Sequence, residues 1–326
     1  MLRISFLLLF LCFFALGAKA WGFWAHQRIN RLAVFSLPQE MFTFYKTHIE
    51  YLTEHAVDPD KRRYVVSGEA PKHYIDLDHF CVYPCDSFPR TWYEAKERYT
   101  QDTLSAYGMV PWAIEMNMDK LTAAFVAQDV KLILKYSADL GHYIADSHVP
   151  LHTTENYNGQ LSDQYGIHGF WESRLPELFH EDYTFWLGGA KYIKDTNAFI
   201  WANILHAHSK LEIVLGREKE LNEQFPPDEK YALVKRGESY MKTYSSAYSL
   251  AYHKTLDGMV EEQMQASVKH VADLWFTCWV QAGMPNLNNL EWKNIEQESL
   301  EEEQYVTPIK SRSHAATGLD ILNEKD

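Results

Sequence analysis

Five candidate metal ligands crowd the segment from 142 to 172, and their spacing fixes what that segment has to become. His142 and Asp146 stand four residues apart, as do His168 and Glu172, with His152 between the two pairs. Residues four apart lie one above the other on a single helix face, so each pair can grip one cation. Five nitrogen and oxygen ligands exceed the needs of one tetrahedral zinc and point to more than one metal ion. Pro150 should end the helix that carries His142 and Asp146 and turn His152 across the site. The polar, Gly-punctuated stretch 153–167 then reads as a loop bordering a cleft.

The rest of the chain is patterned for helix. Met41, Phe44, Tyr45, Ile49 and Leu52 follow a three-to-four spacing, as do Trp92, Ala95, Tyr99 and Leu104. Leu121 and Phe125, then Leu132, Ile133, Tyr136 and Leu140, repeat it around a turn. Long helical patterns return over 196–223, 227–250 and 253–282, while alternating β-branched runs are almost absent. An all-α fold is therefore expected, with one multi-helix domain over 21–288. Residues 289–326 read as a polar acidic tail in which Glu301 to Glu303 form a solvated face.

Residues 1–20 begin with Arg3, continue through an apolar run from Ile4 to Leu16 and close on Ala18-Lys19-Ala20. That pattern is a secretory signal peptide rather than a membrane span, and cleavage after Ala20 would make Trp21 the new N-terminus. No second apolar run is long enough to span a bilayer. The expected product is exported, periplasmic or extracellular. The net charge is −13, and losing Arg3 and Lys19 with the signal takes it to −15. Such a surface does not bind polyanions in general, so a role on phosphate chains would need local positive charge, which clustered metal ions supply. Cys81 and Cys85 flank Val-Tyr-Pro and can close a small disulfide in an oxidising compartment. Their spacing is not the C-x-x-C redox motif, and Cys278 sits in an apolar helical stretch as a buried thiol.

Beyond the 142–172 cluster, the opening Trp21-Gly-Phe-Trp-Ala-His26, the segment His-Ala-Val-Asp58-Pro-Asp-Lys-Arg-Arg and the segment Lys-His73-Tyr-Ile-Asp76 add further candidate ligands. In this order the residues resemble the zinc-dependent phospholipase C and S1/P1 nuclease superfamily, over most of the chain from 21 to about 285. The resemblance implies an all-helical fold and three zinc ions (Zn2+) per chain. One zinc would take the amine and carbonyl of Trp21, His26 and a bridging Asp146. Another would take Asp58, His73, His142 and Asp146, and the last His152, His168 and Glu172. It further implies that Asp76 orients or activates the attacking water, and that Lys61 or Arg62 pairs with phosphate oxygens. Asp60 and Asp78 are left unassigned.

Imidazole and carboxylate donors suit zinc, and a free α-amine loses its proton readily near neutral pH. The short separation of His152 from His168, with Glu172 as last ligand, tilts the resemblance towards phospholipids as substrates. Single-strand nuclease or 3′-nucleotidase action on nucleic-acid phosphodiesters is the alternative, and zinc storage or a zinc-dependent interaction module is the non-catalytic one. No protein partner is implied. His79 and His148 read as packing or surface residues, and Tyr74, Tyr143 and Trp171 as walls of the site. Motifs of other hydrolytic mechanisms, H-E-x-x-H, G-x-S-x-G and the P-loop, are missing.

Overall fold

Asn30 and Gly141 pack directly against each other. A Cβ at position 141 would stand 2.0 Å from Asn30 Oδ1, so only glycine lets the two helices meet there. The Asn30 amide then donates to Ala138 O at 3.1 Å. This contact presses the first helix, α1 (Phe23–Ala33), against the ninth, α9 (Val130–Asp146), and sets His26 beside His142. The computed structural model describes residues 22–236, 239–288 and 290. The expected export segment 1–20, Trp21 and all of the 289–326 tail except residue 290 lie outside them.

The described chain is mostly helical. After α1 come α2 (Gln39–Thr47), α3 (Ile49–Glu54), the single turn α4 (Asp58–Arg62), α5 (Leu77–Phe80), α6 (Trp92–Tyr99) and α7 (Gln101–Tyr107). α8 (Val110–Ala127) and α9 pair as a hairpin. Gln128 takes the left-handed conformation at the end of α8, and Asp129 caps α9 by accepting from Leu132 N at 3.0 Å. Next are α10 (Ile167–Gly169), α11 (Leu175–Phe179), α12 (Thr196–Ser209), α13 (Leu211–Gln224), α14 (Ser246–Thr255) and α15 (Met259–Gln281). No helix among the described residues is long and apolar enough to cross a membrane.

α9 is the axis. Every residue from Ser137 to Asp146 is buried. α15 backs it: Trp275 Nε1 donates to Ser137 O at 3.0 Å, and Gln263 Nε2 donates to His148 O at 2.8 Å. Large aromatic side chains such as Trp112, Trp171, Trp275 and Tyr45 fill the interior around these helices. The polar carboxylates and imidazoles at the end of α9 are thereby shut away from water on all sides.

One expectation fails. The helical pattern read over 227–250 is replaced, over Tyr231–Tyr244, by two antiparallel strands, β1 (Tyr231–Arg236) and β2 (Ser239–Tyr244), before α14 begins at Ser246. Tyr231 pairs with Tyr244, and Tyr244 stacks on Phe170 at 3.8 Å between ring centres. That aromatic anchorage overrides a weak local helix preference, and Gly237 in the middle of the run had already lowered it.

Cys81 and Cys85 are joined by a disulfide, and Cys278 is a buried free thiol that burial pushes up to about 12.

Candidate metal centre

Six pieces of chain deliver the polar cluster, α4 contributing Asp60. α1 contributes His26, the turn ending at His73 contributes that ring, α9 contributes His142 and Asp146, and the 3-10 turn Pro150–Thr153 contributes His152. His168 and Glu172 come from α10 and the π-helical turn Phe170–Arg174 that continues it. All of these side chains are buried. His26, His142 and Asp146 form one group with ligand atoms within 4.8 Å of one another, Asp60, His73 and His142 a second, and His152, His168 and Glu172 a third.

Asp146 ties the first two groups together. One of its oxygens lies 3.3 Å from His26 Nε2, and the other lies 2.9 Å from His73 Nδ1 and 3.2 Å from His142 Nε2. His152 Nδ1 stands 3.8 Å from the first oxygen, so the third group adjoins the other two. In that group Glu172 Oε2 is 3.0 Å from His168 Nε2 and 3.3 Å from His152 Nε2.

Backbone carbonyls fix two of the rings. His142 Nδ1 is 2.8 Å from Ala56 O, and His152 Nδ1 is 2.5 Å from His73 O. A carbonyl only accepts, so both Nδ1 atoms carry hydrogen, and in the neutral tautomer Nε2 turns a lone pair inward. Donation of the second ring nitrogen to a carbonyl is the usual outer support of a metal-ligating imidazole.

The charges point the same way. Burial alone pushes the His142 ring down, but Asp146 and Asp60 outweigh it and carry it up to about 9. His152 is raised against burial by Asp146 and Glu172. Asp146 is held well below the usual carboxylate range despite burial, chiefly by His142 and His152, and Glu172 is brought down to about 2 by His168 and His152. Burial wins at His26, His73 and His168, which are lowered. The cluster therefore demands positive charge, and a bound cation can supply it in place of protons. Asp60 Oδ2, His73 Nε2 and Glu172 Oε1 are buried and, among the described residues, have no hydrogen-bond partner. A donor set of imidazole and carboxylate with such orphaned atoms fits zinc or a similar divalent metal.

The structure corrects one expected ligand. Asp58 does not reach the cluster: its carboxylate bonds His55 Nδ1 at 2.5 Å and Lys61 Nζ at 2.8 Å, with 29% of the side chain exposed. Asp60 stands in its place, 3.8 Å from both His73 Nδ1 and His142 Nε2. Two residues along a helix is about 200° of rotation, so a one-turn helix can aim only one of the two acids inward. His55 and Lys61 hold Asp58 outward from three residues either side.

Lys61 and Arg62, expected at a phosphate, are engaged with carboxylates of the protein. Lys61 is 55% exposed and engaged with Asp58. Arg62 pairs with Glu69 at 3.2 Å and Asp139 at 3.0 Å, and Tyr143 donates its hydroxyl to Glu69 in the same network. It supports α9 from outside the ligand set. Arg63, which sequence reasoning missed, is the cation beside the centre: its Nη1 lies 3.3 Å from Asp60 Oδ1, and its charge is felt at His168. The signal was present in the three-residue step from Asp60 to Arg63, which puts both on one face.

Asp76 is fully buried three residues after His73, with its N–H donating to Tyr107 O at 2.8 Å. Asp78 instead staples the loop, accepting from Thr154 Oγ1 at 2.6 Å and Glu155 N at 3.0 Å. His79 stacks on Tyr107 near the surface, and His148 packs inside against His270. Trp21 lies outside the described residues, but Gly22 N–H donates to Ser173 Oγ at 3.0 Å, next to Glu172.

The loop between His152 and His168 is closely tied. At Gly159, with φ +75°, a Cβ would meet Gln164 O at 2.3 Å, and Gln164 Nε2 donates to Glu218 at 2.7 Å. Neither a comparison with protein-family models nor one with curated proteins finds a match to this chain.

Proposed function

We propose that this protein is an exported, zinc-dependent phosphoric ester hydrolase of the phospholipase C and S1/P1 nuclease type, acting on phospholipid head-group esters. The observation that carries the reading is Asp146 at the end of α9, with one oxygen turned to His26 and the other to His73 and His142, so that one carboxylate serves two adjoining groups. A single structural ion needs no such sharing; adjoining ions on one carboxylate are the arrangement that phosphoester chemistry uses.

His26 with Asp146, Asp60 with His73 and His142, and His152 with His168 and Glu172 would hold the metal, with Trp21 completing the first group through its amine. Bound zinc would supply Lewis acidity towards a phosphoryl oxygen and acidify a water at neutral pH. Arg63 supplies a fixed cation for the phosphate oxygens, and its ion pair with Asp60 holds both in place. Asp76 orients the attacking water and accepts its proton. The buried surroundings exclude bulk water, which strengthens each of these charges. The disulfide between Cys81 and Cys85 agrees with an oxidising compartment and with removal of residues 1–20.

The compact, self-bonded loop 153–167 supports phospholipid over nucleic acid, because it leaves little protein to build a stacking pocket for a base. The test is one zinc-loaded preparation assayed on short-chain phosphatidylcholine, single-stranded DNA, RNA and bis-p-nitrophenyl phosphate. Phosphatidylcholine should be turned over fastest. Preference for nucleic acid would replace the substrate class, and inactivity on all four would leave zinc storage or interaction. Starting the chain at Trp21, or with Met-Gly-Ser ahead of it, tests the amine: the extended form should bind one zinc fewer.

A further inference from the structure

We propose that the hairpin Tyr231–Tyr244 is a docking surface for an anionic lipid bilayer. The protein is acidic overall, yet residues 230–244 carry Lys230, Lys235, Arg236 and Lys242 against the single acid Glu238. Lys230 is committed at the root, 3.0 Å from Glu218 Oε1. Lys235 stands exposed further out, and Lys242 is half-buried with its ammonium 4.2 Å from the centre of the Tyr231 ring.

The pairing register arranges the remaining side chains. Leu233 lies opposite Lys242 and Lys235 opposite Tyr240, so the two pairs beyond the root on this face each set one apolar or aromatic residue against one lysine, while Val234 lies opposite Met241 on the other face. Leu233 is 71% and Tyr240 68% exposed, and Val234 on the other face is exposed as well. A two-stranded sheet is marginal in water unless a face is covered, and here neither face has a core beyond the root. Aliphatic side chains flanked by lysines, with a tyrosine between, form the pattern that buries apolar atoms at a membrane interface while its cations meet lipid phosphates. Charge complementarity selects the partner: an anionic surface attracts this element while the rest of the protein is repelled. A nucleic-acid strand fits less well, because Leu233 and Val234 offer no ring on which a base can stack.

The root explains why docking at this place matters. Tyr244 stacks on Phe170, which lies between His168 and Glu172 on the same turn, and its hydroxyl donates to Tyr165 O at 3.3 Å. The hairpin is thus anchored on the segment that carries the third ligand group and reaches about 17 Å from that anchor.

Sedimentation of the purified protein with vesicles tests this without requiring turnover. The protein should pellet with phosphatidylcholine vesicles containing phosphatidylserine, and much less with phosphatidylcholine alone. Salt that shortens the Debye length to about 3 Å should release it. The pair Lys235→Gln with Lys242→Gln should weaken binding about 25-fold, from roughly fivefold per lysine. Leu233→Ser with Tyr240→Ser should weaken it at least about tenfold. Unchanged melting and metal content in both pairs show that the fold is intact. Wild type that stays in the supernatant with anionic vesicles, variants that pellet like wild type, or retention on single-stranded DNA without vesicle binding would each overturn the proposal. A catalytically inactive protein that still pellets leaves it standing and removes only the hydrolase reading.

Discussion

Two pairs of histidines, one at Asp146 and one beyond the end of α9, differ in what faces them. His142 Nε2 lies 3.0 Å from His73 Nδ1, and His148 Nε2 lies 2.7 Å from His270 Nδ1. Both pairs make ring-to-ring contact, and three of the four rings are buried, with His270 half-buried, but carboxylates face the first pair only. His142 is carried up to about 9 by Asp146 and Asp60 against its burial. In the second pair no carboxylate opposes burial, which outweighs the Ile144 carbonyl at His148 and brings that ring down to about 4, and brings His270 to about 2 with help from His148 itself. His148 Nδ1 donates to Ile144 O at 2.7 Å, so its Nε2 accepts and His270 Nδ1 must donate. The second pair is neutral packing. The buried imidazoles of the groups that could hold a metal ion are the ones a buried carboxylate faces.

The strongest way to break this contrast is at the carboxylate. Purified protein should contain about three zinc ions, one for each of the three groups, and chelation should abolish hydrolysis and lower the melting temperature. Asp146→Ala should lose more than one ion, since four imidazoles face that side chain, and should destabilise by roughly 3–5 kcal/mol. Unchanged zinc content by elemental analysis would show that the cluster is polar packing like the second pair.

Asp60→Asn against Asp58→Asn sharpens it. The first should cost one ion and roughly 100-fold or more in activity. The second should keep the metal and stay within about 0.5 kcal/mol of wild type in urea melts. Equal metal loss in the two variants would restore Asp58 to the site.

Glu69 tests a carboxylate that serves cations of the protein itself. Burial would raise it, but Lys72 and Arg62 overcome that and bring it to about 2 from an ordinary 4.5. Its folded value is depressed, so its stabilisation is full above pH 4.5 and is lost as pH falls towards 2. Glu69→Gln should therefore destabilise by about 3 kcal/mol at neutral pH. The gap to wild type should close across that window in chemical-denaturation curves, and a constant gap would mean packing alone.

The smallest effect belongs to His270. Its folded value near 2 lies under the ordinary 6.5, so the unfolded chain binds a proton between those pH values and the folded chain does not. Stability from this group is present above pH 6.5 and falls as pH drops below it. His270→Gln keeps a donor for His148 and should change stability by less than about 1 kcal/mol at pH 7. It should also make the acid limb of the urea-midpoint profile shallower. An unaltered acid limb would contradict the neutral pair.

How much of this was legible follows from periodicity. The His-to-carboxylate steps of four at 142–146 and 168–172 could be read directly, because helical geometry fixes what four residues mean. The choice between Asp58 and Asp60 was not legible: both sit on one short turn, and the direction each takes depends on His55, Lys61 and Arg63 around it. His148 resembled a ligand by its nearness to Asp146, and only the approach of His270 from α15 shows what it packs against. The hairpin was missed because its rows of tyrosine and lysine carry weak local preference, while Phe170, more than sixty residues upstream, supplies the anchor.

The sequence by itself determined an all-helical core, the two ligand pairs and the disulfide-capable Cys81 and Cys85, all from relations spanning a few residues. The tertiary structure decided which acid turns inward, which arginine stands beside it, and that one carboxylate faces histidines from α1, from the turn at His73 and from α9. Local spacing sets which side chains share a face. Only the packing of that face against distant chain removes water, and burial without water is what makes the position of each charge matter.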